Sequence, residues 1–225
     1  MIPDQIRQIQ TTRTPHSLGL SDGLGLWKSS YYGDGVIIGV LDIGIWSERL
    51  SFIDTGLSPV SDSWKGICET GPDFPTSAFN RKIISARAFY KGYESYIETP
   101  IDETKESKSP QNTEGHGTHT ASTAARSVVS NASFFKYAYG EARGIVTKAR
   151  IAAYKICWSL GCFDSDILAD MDQAIADGVN VISLSVGANG YAPPYYQVSI
   201  AIGAFGAVNH GVVVSCSARN YGLGP

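Results

Sequence analysis

Arg150-Ile151-Ala152-Ala153-Tyr154-Lys155-Ile156 opens the stretch whose reading decides the fold. It reads as a strand. Asp164 to Ala176 then predicts a helix. Ile167, Leu168, Met171 and Ile175 recur at helical spacing, acidic and seryl residues sit at the start, and Gly178 lies just past the end. Val179-Asn180-Val181-Ile182-Ser183-Leu184 reads as a second strand, and Val198 to Asn209 as a more apolar helix closed by Gly211. Val212-Val213-Val214-Ser215-Cys216 is a third strand. Strand, helix, strand, helix, strand with short connections is α/β order, a mostly parallel sheet covered by helices on both faces. Ligands of such sheets gather beyond the carboxyl ends of the strands.

Upstream, Val36-Ile37-Ile38-Gly39-Val40-Leu41 is another continuous apolar run and ends on Asp42. Before it, the first 35 residues show little periodicity and read as an extended arm, with a turn at Gly33-Asp34-Gly35. After it, Ile43 to Ser109 reads as a loop-rich excursion with one short strand near Lys82 to Ala86. The strand-end rule therefore singles out Asp42, Ser185 to Gly187, and Arg219-Asn220. A dinucleotide site would need its glycine fingerprint after the first strand, whereas Gly33, Gly35 and Gly39 lie before or within it.

Two of the four histidines fall in Asn112-Thr113-Glu114-Gly115-His116-Gly117-Thr118-His119-Thr120-Ala121-Ser122-Thr123-Ala124-Ala125. Gly115 and Gly117 interrupt preceding structure, and the small residues that follow suit a slim helix lying close against a sheet. His116 sits at the first turn. Three readings stand side by side here: a general base, a structural histidine, or a metal pair with His119 on one helix face. The zinc-protease helix spaces its histidines four apart with a glutamate directly after the first; here the spacing is three and Gly117 follows His116.

The 225 residues are 43% hydrophobic and 17% charged, enough to bury one sizeable core. A formal charge of −3 and scattered basic residues give no field for nucleic acid. No apolar run approaches the roughly 18 residues that a membrane span requires; Ile200 to Val214 is broken by Asn209 and His210. Met1-Ile2-Pro3-Asp4 lacks the regions of a signal peptide. Neither nucleic acid nor membrane is an expected partner. Cys68, Cys157, Cys162 and Cys216 contain no CxxC pair. Cys157 and Cys162 are close enough to close a small disulfide loop in an oxidising compartment, and remain two thiols in a reducing one. Asn131-Ala132-Ser133 is an N-glycosylation sequon, relevant to a secreted chain.

A carboxylate at a strand end followed by a histidine on the next helix makes two-thirds of a hydrolytic triad. At these residues the chain resembles the N-terminal part of a plant-type subtilisin-like serine protease, a subtilase. Val40-Leu41-Asp42-Ile43-Gly44-Ile45-Trp46 resembles the family's Asp motif, and Gly115-His116-Gly117-Thr118-His119 its His motif. Ser183-Leu184-Ser185-Val186-Gly187 resembles the strand that holds substrate backbone, with Ser185, Val186 and Gly187 at the substrate. Ser215-Cys216-Ser217-Ala218-Arg219-Asn220 resembles the segment supplying the oxyanion-hole amide, Asn220. Thr11-Thr12-Arg13-Thr14-Pro15 resembles the start of a mature enzyme, so residues 1–10 are expected to be a propeptide remnant and 11–225 the N-terminal portion of the peptidase domain. The resemblance implies serine endopeptidase action on extracellular polypeptides, with inhibition and chaperoning by the enzyme's own propeptide. No oxygen-rich loop is distinct enough to name as a calcium site, and no cofactor is expected.

Departures accompany the matches. The family's Asp-Thr-Gly is Asp42-Ile43-Gly44, its Trp-Pro-Glu is Trp46-Ser47-Glu48, and the glycine before the oxyanion asparagine is Arg219. Phe79 stands where Cys68 would have a partner. The family's Gly-Thr-Ser-Met nucleophile motif lies downstream of the equivalent of Pro225, so the expectation is a chain cut before its nucleophile and inactive alone. The competing expectation is a degenerate fragment acting as a binding or decoy module, or an incomplete gene product.

Overall fold

A computed structural model of the chain describes residues 14–187 and 194–218. The strands are β1 (Ile37–Asp42), β2 (Ile83–Ala88), β3 (Val129–Phe134), β4 (Tyr137–Ala142), β5 (Arg150–Lys155), β6 (Cys157–Trp158), β7 (Gly161–Cys162), β8 (Val181–Leu184) and β9 (Val213–Cys216). The α-helices are α1 (Thr14–Ser17), α2 (Gly25–Ser29), α3 (Lys91–Ile97), α4 (His116–Ala125), α5 (Asp164–Asp177) and α6 (Ser199–Asn209). Five strands form one parallel sheet in the order β2-β5-β1-β8-β9, with β1 at its centre. None of the described helices is long and apolar enough to cross a membrane.

Strand alternation assigns the two faces of this sheet. Ile37 and Leu41 of β1 join Ala152 and Tyr154 of β5 in a core completed by Ile167, Met171 and Ala174 of α5 and Ala207 of α6. Ile38 and Val40 join Ile151 and Ala153 on the opposite face, against Ala121 and Ala125 of α4. Asp42 and Lys155 follow in the parity of the second set and are register partners, so both belong to the α4 face at the carboxyl end of the sheet.

The extended arm expected before β1 is instead partly helical. α1, α2 and a 3₁₀ turn at Tyr31–Gly33 occupy it. Trp27 explains the difference: it is buried and its indole N–H donates to the Ile145 carbonyl at 2.6 Å, tying a locally featureless segment to a distant one. The predicted loop-rich excursion contains β2 as expected and also α3. That helix takes its cap from afar, since the Gly92 and Tyr93 N–H groups donate to the Asp166 carboxylate at 2.8 and 3.0 Å.

One residue of α5 carries a cost. Asp170 is fully buried, and neither carboxylate oxygen has a hydrogen-bond partner. Burial raises its pKa well above the ordinary 3.8, and the opposing pull of Arg87 does not overcome this. Between 3.8 and that higher folded value the folded state binds more protons than the unfolded one, so stability falls as pH rises. Asp170→Asn is therefore expected to raise the unfolding temperature at pH 8, with the gain shrinking toward pH 4. A gain independent of pH would show that ionisation of Asp170 is not the cause.

Candidate active site

Asp42 ends the central strand with its side chain 3% exposed, while His116, the first residue of α4, has a side chain 49% exposed. The His116 Nδ1 lies 2.8 Å from Asp42 Oδ1 and 3.0 Å from Oδ2. A carboxylate can only accept, so Nδ1 carries the hydrogen and the neutral ring presents a lone pair at Nε2. The carboxylate is held on its other sides as well: the Ile43 N–H donates to Oδ1 at 2.8 Å and the Thr120 hydroxyl to Oδ2 at 3.1 Å. Thr120 is one helical turn beyond His116, which places both on one face of α4.

Two glycines set how closely the helix meets the strand end. A β-carbon at Gly117 would stand 2.1 Å from the Gly44 carbonyl oxygen and 3.2 Å from the Asp42 Cβ. One at Gly44, whose φ is +99°, would stand 2.3 Å from the Pro110 carbonyl oxygen. The entry to α4 is fastened by Asn112, which is buried; its side-chain oxygen accepts from the Glu114 and Gly115 N–H groups at 3.0 and 2.7 Å. Its amide N–H₂ donates to the Thr118 hydroxyl oxygen at 2.8 Å, and the Trp46 N–H donates to that same oxygen at 2.9 Å.

Lys155 supports the preceding loop from below. Its buried ammonium donates to the Ser107 and Gln111 carbonyls at 2.9 and 3.3 Å and lies 4.3 Å from the Trp158 ring. Burial lowers its pKa to about 8. Lys82 does the same for the far end of α4, donating to the carbonyls of Ala125, Thr147 and Ala149 at 2.7 to 2.9 Å; burial, with Arg150 nearby, lowers it to about 8.

Cys157 and Cys162 are joined by a disulfide across the β6–β7 pair. This small hairpin continues directly from β5, and the Ile156 N–H between them donates to the Asp42 carbonyl at 2.8 Å. A cavity of about 610 Å³ opens there, its walls including Ile43, Glu114, Cys157, Trp158, Tyr93 and Ile101. Ser185, Val186 and Gly187 follow β8 at the same end of the sheet, and the Ser217 hydroxyl donates to the Val186 carbonyl at 3.3 Å. Arg219 and Asn220 lie outside the described residues. Asn131 is exposed on β3, and Cys68 and Cys216 are free thiols. Among the described residues no group of three His, Cys, Asp or Glu side chains converges to hold a metal ion.

Sequence reasoning singled out the pair but missed its braces. Thr120 was passed over, although its one-turn offset from His116 is a signal that could have found it. Asn112, Thr118 and Lys155 carried no comparable signal, because their partners come from other loops.

A parallel sheet with an Asp–His pair beyond its strand ends, Asp first in the chain, can frame two members of a hydrolytic triad. Residues 33–224 match the subtilase family. The chain is 65% identical to subtilisin-like protease SBT1.4 of Arabidopsis thaliana, over all of this chain and 29% of that protein. It is 54% identical to subtilisin-like protease SBT1.5 of the same plant, with the same coverage. It is 48% identical to subtilisin-like serine-protease S of Lotus japonicus, over 82% of this chain and 25% of that protein. The chain belongs to the subtilase family, a family of serine-type peptidases that act on polypeptides. It spans 29% of the length of the first two of these relatives.

Proposed function

We propose that these residues supply the acid–base half of a serine endopeptidase centre that cleaves extracellular polypeptides. Asp42 holds the imidazole as its Nδ1–H tautomer and stabilises the imidazolium that forms during reaction. His116 Nε2 takes the proton of a serine hydroxyl as that oxygen attacks the scissile carbonyl, then returns it to the leaving amine. The serine comes from sequence beyond residue 225. The Asn220 amide donates to the developing oxyanion, a contribution of about 3 kcal/mol to lowering the barrier for such donors. The backbone of Ser185 to Gly187 lines the bound peptide. Residues 1–10 are the remnant of a propeptide that inhibits and chaperones the enzyme, and residues 11–225 begin its peptidase domain. The Cys157–Cys162 bridge suits the oxidising exterior.

The observation that carries this reading is the bond from His116 Nδ1 to the doubly braced Asp42 carboxylate. A decoy that had lost catalysis would have no need for a fixed tautomer. A fluorophosphonate serine probe tests it. The full-length protein is expected to label rapidly, and His116→Ala to abolish labelling, while the 225-residue chain alone stays unlabelled. A full-length protein that folds but does not react would refute the proposal. Labelling of the 225-residue chain that His116→Ala abolishes would refute the external nucleophile.

A further inference from the structure

A second opening, of about 560 Å³, lies between α4 and the segment that follows β1. Trp46, Arg49 and Leu50 face Gly115, Thr118 and His119 across it. It shares no wall with the cavity at Trp158, yet the two adjoin at the catalytic helix: Glu114 belongs to one and Gly115, next to His116, to the other. A peptide laid across the half-exposed His116 ring therefore meets both.

The walls of this opening are held in place before any ligand arrives. The Trp46 N–H donates to the Thr118 hydroxyl at 2.9 Å, which ties one wall to the other. Behind Arg49, the N–H of the buried Phe52 donates to the Arg49 carbonyl at 2.9 Å, and the Ser127 N–H donates to the Ser51 carbonyl at 2.8 Å. Apolar surface nevertheless stays open, with Trp46 39% and Leu50 71% exposed.

Arg49 supplies the chemistry. Its guanidinium lies over the Trp46 ring, 4.4 Å from the centroid. Among the described residues it forms no ion pair, and Glu48, the one carboxylate on these walls, forms none either. Stacking fixes the plane of the guanidinium and leaves its N–H fork to meet a carboxylate edge-on.

We propose that this opening binds the half of the polypeptide that departs as the amine, and that Arg49 selects an aspartate or glutamate side chain there. The inference rests on the peptidase reading above. Ser185 to Gly187 and the cavity at Trp158 then serve the acyl half, and the chain beyond the scissile bond runs over Gly115 into the opening. Its backbone and the stem of its acidic side chain lie on Trp46 and Leu50, while the carboxylate accepts from Arg49. Glu48 opposes this preference and limits it.

The experiment uses the full-length protein and internally quenched peptides that differ only in carrying glutamate or lysine at successive positions after the scissile bond. At one position glutamate is expected to exceed lysine by about three- to ten-fold in kcat/KM, as suits a partly exposed charge-assisted contact. Added salt is expected to shrink that ratio. Arg49→Glu is expected to invert it, and Glu48→Gln to widen it. Each ratio is taken within one preparation, so the fraction of active protein cancels, and the ratio for the unaltered protein needs no variant to fold. An unaltered protein without preference at any of these positions overturns the proposal. So does an Arg49→Glu variant that still prefers glutamate, which is also the result if other parts of the chain fill the opening. Failure of the serine probe to label the full-length protein refutes the peptidase reading instead.

Discussion

Asp42→Asn in the full-length protein is expected, on the proposed peptidase reading, to lower kcat by about 10⁴-fold while leaving KM within a few-fold of the parent. The substitution changes no volume, but an amide cannot serve as the acceptor for Nδ1–H in the same way. The Ile43 N–H and the Thr120 hydroxyl already donate to the two positions that the carboxylate oxygens occupy. The Ile43 N–H can only donate, so the new amide oxygen stays at the Oδ1 position and the NH₂ takes the Oδ2 position, beside the Thr120 hydroxyl and 3.0 Å from His116 Nδ1. When Nδ1 pairs with that NH₂ it must accept, the ring proton moves to Nε2, and the lone pair proposed to take the serine proton is gone. Steady-state kinetics on a peptide substrate decide the matter. A fall in kcat below ten-fold would mean that the tautomer is fixed by something other than Asp42.

Gly117→Ala is expected to destabilise the fold by about 2 to 3 kcal/mol and to lower kcat by about a hundred-fold. The added methyl meets the Gly44 carbonyl and the Asp42 Cβ, both fixed in the strand end, so α4 itself has to move. His116 is the neighbouring residue and moves with it. Gly115→Ala is the instructive control. Its φ is +117° but nothing stands within 4 Å of a new β-carbon, so it pays only backbone strain of about 1 kcal/mol. Urea unfolding midpoints and kcat for the two variants separate the effects. Equal losses would show that strain, not the close approach of helix and strand, governs this corner.

Much of this architecture was legible because the signals were local. β1, β5, α5, β8, α6 and β9 each carry their own apolar run or helical spacing, and the observed boundaries differ from the expected ones by no more than two residues. The parallel sheet followed from their order. What was not legible depended on partners distant in sequence. α3 is capped by Asp166 and read locally as loop, while α2 is held by Trp27 against Ile145 and read as part of an extended arm. The β3–β4 hairpin was missed for another reason. Its turn places Phe135 and Lys136 at φ of +48° and +67°, where the usual signal would be Asn-Gly. At the site, Asp42 and His116 stood out by type and position. Their braces, Asn112, Thr118 and Lys155, did so only once the loops around them were assembled.

The central position of β1 also bears on how the chain is made. Both neighbours of this strand come much later in the sequence, β5 beginning at Arg150 and β8 at Val181. During synthesis this fully buried central strand therefore emerges before either neighbour and waits, both edges unpaired, until most of the described chain has followed. Pairings of such long sequence separation are slow to form, and exposed strands are prone to aggregate meanwhile. Asp42 ends that waiting strand, so its bond to His116 gains a fixed frame only after the nascent chain has survived this exposed stage.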